Sequence, residues 1–209
     1  MPSLAKSGAF SSIFVIYGAA AAFLATLLVT NLMGKEASGE FFQVMALFTI
    51  GTSLSVFGAD TGLVRTVSAQ RAMGRYSAIK SLIRFAILPS LCISIVLTIA
   101  AFIYTIPSLS PALSDNYRQA VHVASPFLVA AAVMTVSFGV LRGLNRVITF
   151  TAMQNVLLPT LRILAILLVI VMAGNIVSLS LAWSFPVIVV SAITILMVRK
   201  YLPQSEDQL

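Results

Sequence analysis

A single charged residue lies inside a long apolar stretch of the sequence. Between Val147 and Val198 the only charged side chain is that of Arg162, within the run NVLLPTLRILAILLVI. In a helix that starts near residue 148, Arg162 lies about 18 Å past the first hydrocarbon residue, close to the centre of a bilayer. An arginine at that depth costs about 2.5–3.5 kcal/mol to insert. The position therefore predicts a partner or a ligand for the guanidinium.

Other polar groups are predicted to share a helix face with Arg162. At about 100° per residue, Thr151, Asn155 and Arg162 fall within a stripe about 40° wide. Pro159 lies about 60° from Arg162 and has no N–H, which leaves the carbonyl oxygen of Asn155 free on this face. The stripe is polar from the N-terminal end of the helix to mid-membrane and apolar beyond. This pattern is typical of a water-filled cavity with a cation at its apex, where Arg162 and Asn155 would bind a phosphate or pyrophosphate.

Two further explanations of Arg162 stay open from the sequence. The first is an ion pair inside the bundle, for which partners are few, because the chain has only six acidic residues. Asp60, at the inner end of the second predicted span, is the one candidate near the membrane. Asp60 lies five residues before Arg65, a poor spacing within a helix, and could instead face another helix. The second explanation is snorkelling of Arg162 toward the interface.

The composition excludes a soluble domain and predicts a multi-pass membrane protein. Hydrophobic residues make up 59% of the chain and charged residues 9%, whereas soluble domains carry about a quarter charged residues. Each crossing requires roughly 20 apolar residues, and the gaps between charged islands provide six such segments. We therefore predict an all-α integral membrane protein that forms one domain over residues 1–209, with helices at 10–33, 41–60, 84–106, 119–141, 148–172 and 177–198.

The distribution of basic residues predicts the orientation of these helices. When the connecting segments are assigned alternately to two sides, ten Lys and Arg residues fall on the side of the N-terminus, and only Lys35 and Arg118 on the other. The positive-inside rule then places both termini in the cytoplasm. The net charge of +7 reflects this bias, strengthened by anionic lipid at the inner leaflet. Nucleic acid is not an expected partner, because the basic residues are spread over several short loops.

Groups that support metal or acid–base chemistry are sparse. The single cysteine, Cys92, lies in the middle of the third span. We expect it to be a small residue packed in the core. The single histidine, His122, has no cluster of Cys, Asp or Glu around it. We therefore expect no metal, no cofactor and no enzymatic activity.

The third to sixth spans are each interrupted by a proline. Broken helices are tolerated in membranes where they line a cavity or form a hinge, and they are common in transporters. In the sixth span, Ser180, Trp183 and Ser184 could line an outer vestibule or serve packing. The four prolines are Pro89, Pro126, Pro159 and Pro186.

Two nonapeptides share the pattern F-G-x-x-x-G-L-x-R: FGADTGLVR at 57–65 and FGVLRGLNR at 138–146. In each, two glycines are four residues apart, a spacing that lets helices approach closely. The closing arginines, Arg65 and Arg146, are predicted to anchor at the headgroups. Duplication of a two-helix unit is a second interpretation of the same pattern. The four glycines are Gly58, Gly62, Gly139 and Gly143.

These stretches resemble the polysaccharide flippases of the multidrug/oligosaccharidyl-lipid/polysaccharide exporter superfamily, the O-antigen and teichoic-acid export type. The resemblance covers essentially the whole chain and corresponds to the first six-helix lobe of that family. It rests on NLMGKEASGEFFQVMALF, FGADTGLVRTVSAQRAMGRY, FGVLRGLNR and NVLLPTLR, of which the second is the most specific. It implies a two-lobe transporter whose V-shaped central cavity alternates access between the two sides of the bacterial inner membrane.

The resemblance also implies a substrate, a polyprenyl-pyrophosphate-linked oligosaccharide held by cationic residues of the cavity. Family members continue into a second lobe where this sequence ends, so the expected partners include a second lobe or a second copy of the chain, besides membrane lipid. The candidate residues are Arg162 first, then Arg65, Arg142 and Arg146 near the cytoplasmic mouth, with Asp60 positioned to organise one of them.

Three other functions compete with transport of a lipid-linked glycan. A cation-coupled multidrug exporter lobe needs acidic residues within the lobe, where only Asp60 is near the membrane. A membrane enzyme acting on polyprenyl phosphates needs paired carboxylates with a metal, or a histidine base, and the sequence offers neither at a suitable depth. A non-transporting assembly subunit is also compatible with a six-helix chain.

Overall fold

The computed structural model describes residues 4–202, with side chains from residue 8 onward. Every regular element in this range is helical, so the protein is all-α, as predicted. The helices are α1 (Leu4–Leu32), α2 (Lys35–Val56), α3 (Ala59–Ala72), α4 (Tyr76–Tyr104), α5 (Asp115–Ala124), α6 (Phe127–Gly143), α7 (Val147–Ala152), a π-helical turn (Met153–Leu157), α8 (Leu158–Val171) and α9 (Ile176–Tyr201).

Five helical segments are long and apolar enough to cross a membrane, and the bent pair α5–α6 provides a sixth. The π turn joins α7 and α8 into one of them, from Val147 to Val171. Their order and number agree with the predicted spans when the bent pair is counted as one. The largest difference is at α4, which begins at Tyr76 rather than at residue 84, because its first turns are packed and Ile79 is fully buried.

Two of the four prolines interrupt a helix and two do not. Pro126 stands at the 42° bend between α5 and α6, and Pro159 follows the π turn. Pro89 and Pro186 lie inside α4 and α9, which continue through them. The prediction of a broken helix is therefore right for the fourth and fifth spans only.

The π-helical turn in the fifth span accommodates Pro159. In a regular α-helix the proline ring would clash with the carbonyl of Asn155, four residues earlier. Here the preceding turn is wider, and the N–H of Leu158 donates to the carbonyl oxygen of Met153, five residues back. The extra residue rotates α7 by about 100° relative to α8. The faces of this span therefore differ from those that an uninterrupted helix predicts.

A break in the backbone separates α2 from α3. Phe57 and Gly58 both adopt left-handed φ angles, 44° and 76°, which glycine tolerates and phenylalanine rarely does. The second predicted span, 41–60, therefore ends at Val56, and Asp60 lies in the first turn of α3. A carboxylate is favoured there, because the N-terminal end of a helix carries partial positive charge.

The second glycine pair allows α6 to pack closely against α3. A Cβ atom on Gly139 would lie 2.5 Å from the carbonyl oxygen of Asp60, and one on Gly143 would lie 2.7 Å from Cβ of Val67. The hydroxyl of Ser68 also donates to the carbonyl oxygen of Gly143 across 3.1 Å. The packing role predicted for this pair is confirmed.

The first glycine pair has a different environment. A Cβ atom on Gly58 or Gly62 would meet nothing within 4 Å, so the predicted close packing is wrong for these two residues. Gly58 instead supplies the backbone conformation of the α2–α3 break. The two nonapeptides have the same sequence pattern but different structures: the first spans the α2–α3 break, and the second begins inside α6 and continues past its end at Gly143.

Contacts across the bundle show which helix ends lie together. Arg146 stacks on Tyr201, which brings the start of α7 to the end of α9, and at the opposite end the hydroxyl of Ser114 donates to Glu40. Lys35 and Arg118 lie at that opposite end, where Arg118 pairs with Asp115. We call the first end the arginine-rich end; its basic residues are Arg65, Arg71, Arg75, Lys80, Arg84, Arg142, Arg146, Arg199 and Lys200.

Candidate functional site

A cavity of about 500 Å³ runs from the arginine-rich end into the middle of the bundle. Residues of α2, α6, the fifth span and α9 form its walls, and we call it the central cavity. Its charged lining residues are Asp60, Arg142 and Arg162. The other lining residues are Phe48, Thr49, Thr52, Ser53, Val56, Gly58, Ala131, Met134, Thr135, Phe138, Phe150, Gln154, Leu158, Trp183 and Val187.

Arg162 lies in the deep part of the cavity, far from the arginine-rich end, and contacts Trp183. Its Nε donates to the carbonyl oxygen of Trp183 across 3.2 Å, and its guanidinium carbon lies 4.1 Å from the centroid of the indole ring. A desolvated cation–π contact of this kind contributes about 2 kcal/mol, which offsets much of the insertion cost. Among the atoms that the structure describes, no group accepts a hydrogen bond from the two terminal nitrogens. These nitrogens are therefore available to a ligand.

Asp60 and Arg142 form an ion pair at the mouth of the same cavity, near the arginine-rich end. Nη2 of Arg142 lies 2.7 Å from Oδ2 of Asp60, and both side chains are less than one third exposed. The guanidinium of Arg142 also lies 4.9 Å from the ring centroid of Phe150. Asp60 does reach across to another helix, but it does not pair with Arg162. The prediction that an internal carboxylate could neutralise Arg162 is therefore wrong for the acidic residues that the structure describes.

The electrostatic balance of the central cavity follows from these three residues. Because Asp60 and Arg142 neutralise each other, the lining carries the net charge of one guanidinium. That guanidinium, on Arg162, lies in the middle of the fifth span, whereas Asp60 and Arg142 lie at helix ends, in the first turn of α3 and the last turn of α6. The cavity is therefore suited to an anion, and its net positive charge lies in its deep part, at Arg162.

One wall of the cavity is rich in hydroxyl groups. Thr49, Thr52 and Ser53 of α2 donate to the carbonyl oxygens of Met45, Phe48 and Thr49, over distances of 2.8–3.0 Å. A hydroxyl that donates within its own helix still has lone pairs with which to accept. This wall therefore offers acceptors to the hydroxyl groups of a ligand.

Three of the predicted site residues lie outside the central cavity. Asn155 packs on α1, where a Cβ atom on Gly18 would lie 2.9 Å from the carbonyl oxygen of Asn155. Its predicted place beside Arg162 is wrong, because the π turn rotates the preceding residues away from that face. Arg65 is exposed on α3, and Arg146 is exposed where it stacks on Tyr201.

The hydroxyl wall of α2 and two further residues of the cavity, Gln154 and Trp183, were not predicted to belong to this site. Gln154 is exposed to the cavity. It is adjacent in sequence to Asn155, the residue that an ideal helix would place beside Arg162. Trp183, expected near an outer vestibule, is instead the partner of Arg162, while Ser180 and Ser184 are fully buried. Depth could have signalled this contact, because Arg162 and Trp183 lie at similar distances from the turn between the last two spans.

The remaining candidate ligands lie away from the cavity. Cys92 is exposed on α4 rather than in the core, and His122 makes a hydrogen bond to Thr105 and stacks against Phe102. Among residues 4–202, no group of three or more His, Cys, Asp or Glu side chains is placed to hold a metal ion. The lining of the central cavity provides hydrogen bonds and one positive charge.

A scan against protein-family models, a search of curated proteins and a search of solved structures each find no match to this chain. The resemblance to polysaccharide flippases stays a prediction from the sequence motifs.

Proposed function

We propose that the chain is one lobe of a flippase that moves polyprenyl-pyrophosphate-linked oligosaccharide across the bacterial cytoplasmic membrane for polysaccharide biosynthesis. The observation that carries the proposal is Arg162, a guanidinium without a described carboxylate partner, on the wall of a cavity within the apolar bundle. The motif resemblance, which includes NVLLPTLR around this residue, supports the choice of substrate.

The chemistry of Arg162 matches a pyrophosphate. A guanidinium binds phosphate oxygens through two parallel hydrogen bonds, and the two terminal nitrogens of Arg162 are available for them. The contacts with Trp183 use Nε and the face of the guanidinium, so they fix its orientation without blocking these nitrogens. The bound pyrophosphate would replace water as the partner of the buried charge.

The hydroxyl wall of α2 matches the glycan. Sugar hydroxyls would donate to the oxygen atoms of Thr49, Thr52 and Ser53, which line the cavity. A volume of about 500 Å³ is typical of a site for a small molecule and is too small for a whole oligosaccharide. A second lobe, or a second copy of this chain, would complete the enclosure.

The arginine-rich end would face the cytoplasm. Of the basic side chains that the structure describes, nine lie at this end and two at the other, and such a bias orients membrane proteins with the positive end inside. The central cavity would then open toward the compartment where lipid-linked glycans are assembled, with both termini in the cytoplasm.

A cation-coupled multidrug exporter is less well supported. Such a transporter needs an acidic residue that is free to bind a proton, sodium or a cationic drug. Among residues 8–202, the one acidic residue that lines the central cavity is Asp60, which is paired with Arg142.

Transport in cells that lack their own polysaccharide flippase tests the proposal. The chain would be expressed as Arg162→Lys, Arg162→Leu and unchanged protein, with Arg71→Leu as a control that removes an exposed charge outside the cavity. Lipid-linked oligosaccharide in the outer leaflet is the measured quantity. We expect Arg162→Leu to abolish export at normal membrane levels, and Arg162→Lys to retain part of it.

Binding to purified protein tests the same site without requiring a second lobe. Loss of a charged hydrogen bond reduces affinity by about 10- to 100-fold, so Arg162→Leu should bind polyprenyl pyrophosphate that much more weakly than Arg71→Leu does. Equal binding and equal export by Arg162→Leu and unchanged protein would disprove the role of Arg162. Intact binding without export by the stably inserted chain would identify it as an incomplete transporter or an assembly subunit.

A further inference from the structure

A second concave surface lies outside the central cavity, at the arginine-rich end. It is a groove of about 460 Å³ with α4 on one side, α9 on the other and α6 at its base. It shares no lining residue with the central cavity. Its one residue from α6, Ser137, lies about 100° around that helix from Phe138, which faces the central cavity. We call it the lateral groove; it is lined by Lys80, Ile83, Arg84, Ile87, Ser137, Ile195, Val198, Arg199 and Leu202.

Three cationic side chains gather at the lateral groove. Lys80 and Arg84 are four residues apart on α4 and so share a helix face, and Arg199 faces them from α9. All three are exposed, and in residues 4–202 no carboxylate pairs with them. Asp60, the acidic residue that the structure describes at this end of the bundle, is already bonded to Arg142. The groove therefore presents three positive charges to one ligand.

The rest of the groove is apolar and extends toward the interior of the bundle. Ile87 lies about 5 Å further along α4 than Arg84, and Ile195 lies about 6 Å along α9 from Arg199. Both isoleucines are half-buried, and Val198 is 7% exposed. Positive charge at the end of the bundle followed by apolar surface matches the order of headgroup and acyl chain in a phospholipid.

Ser137 adds a polar group to the apolar base of the groove. The residue is only 5% exposed, and within the described part of the chain its hydroxyl makes no hydrogen bond. Most serines and threonines of these helices donate to a carbonyl of the preceding turn, as Thr135 does to Ala131. A hydroxyl without such a bond, on the lining of a groove, is available to an oxygen of a ligand.

We propose that the lateral groove binds an anionic phospholipid of the surrounding bilayer. Its phosphate lies among Lys80, Arg84 and Arg199, an acyl chain follows the isoleucines, and Ser137 donates to an ester oxygen. Basic pockets between transmembrane helices at the cytoplasmic face suit such headgroups, and each cation there adds to the attraction. This site is separate from the proposed transport site, because the two cavities have no residue in common.

Lipid binding to the purified protein tests this assignment. Cardiolipin and phosphatidylcholine of the same chain length would be added to the detergent-solubilised protein, and bound lipid counted by native mass spectrometry. The test variant is Lys80→Gln/Arg84→Gln/Arg199→Gln. Its matched control is Arg65→Gln/Arg71→Gln/Arg75→Gln, which removes the same charge from exposed positions at the same end.

We expect unchanged protein to prefer cardiolipin, and the groove variant to lose affinity on the order of 100-fold while the control loses far less. Ile195→Trp, which fills the apolar part and keeps all three charges, is expected to weaken cardiolipin binding as well. Equal losses in the groove variant and in the control would overturn the proposal, since binding would then follow general surface charge. Displacement of the lipid by excess inorganic phosphate, or full binding by Ile195→Trp, would overturn the role of the acyl chain.

Discussion

Replacing Gly139 by alanine tests the close approach of α6 to α3, which also positions Asp60. The added Cβ atom would lie 2.5 Å from the carbonyl oxygen of Asp60 and 2.8 Å from its Cα. Both are backbone atoms, so no side chain can rotate to make room. The two helices must separate by about 0.9 Å before the contact reaches an ordinary distance.

The size of the effect follows from two opposing terms. Forcing an extra carbon into a well-packed contact costs about 1–3 kcal/mol. Alanine in place of glycine inside a helix contributes about 0.5–1 kcal/mol in the other direction. Gly139→Ala should therefore reduce the free energy of unfolding by up to about 2.5 kcal/mol. Gly62→Ala is the matched control, because Gly62 is also helical and a Cβ there meets nothing within 4 Å; it should gain about 0.5–1 kcal/mol.

The measurement is unfolding of each purified variant in mixed micelles with increasing dodecyl sulfate, followed by far-ultraviolet circular dichroism. The difference between the two variants isolates the packing term, since both share the helix-propensity gain. If Gly139→Ala proves as stable as Gly62→Ala, then the α3–α6 interface is not as close as described. The account of how Asp60 reaches Arg142 would fail with it.

Two further predictions concern the central cavity. Asp60→Asn should lower the free energy of unfolding by about 1 kcal/mol, because the ion pair with Arg142 is only partly shielded from solvent. A double-mutant cycle with Arg142→Gln measures the coupling energy between the two side chains. A coupling energy of zero would rule out a stabilising pair. In a Cys92→Ser background, Gln154→Cys should react with a membrane-impermeant thiol reagent several-fold faster than Asn155→Cys, because only Gln154 lines the cavity. Equal rates would contradict the rotation caused by the π turn.

Much of the helix arrangement could be predicted from the sequence, because a bilayer imposes strong constraints. The length of apolar stretches determines where spans lie. A lone membrane-proximal carboxylate such as Asp60 has few possible partners, so its contact with a residue of another helix was predictable. Gly139 and Gly143 likewise stand four residues apart, a spacing that indicates close packing. These conclusions depend on composition and spacing alone.

Other features depend on how the backbone resolves a local conflict. Pro159 makes a regular helix unfavourable, but a kink, a break or a π turn would each relieve the clash. These solutions direct the preceding residues to different faces, and this is why Gln154 rather than Asn155 lines the cavity. The break at Phe57 was hidden for a related reason, since nothing in the hydropathy of the second span changes there. Pairwise contacts such as Arg162 with Trp183 need the depth and rotation of two helices at once.

The contact between Arg162 and Trp183 gives the molecule an optical property. Trp183 is the only tryptophan in the chain, and its indole lies 4.1 Å from the guanidinium carbon on the wall of the central cavity. The emission of an indole depends on the electric field around it, and an anion bound at Arg162 changes that field directly. All tryptophan emission from this chain therefore comes from an indole next to the guanidinium of Arg162. A change in that emission reports binding of an anion in the cavity without an added label.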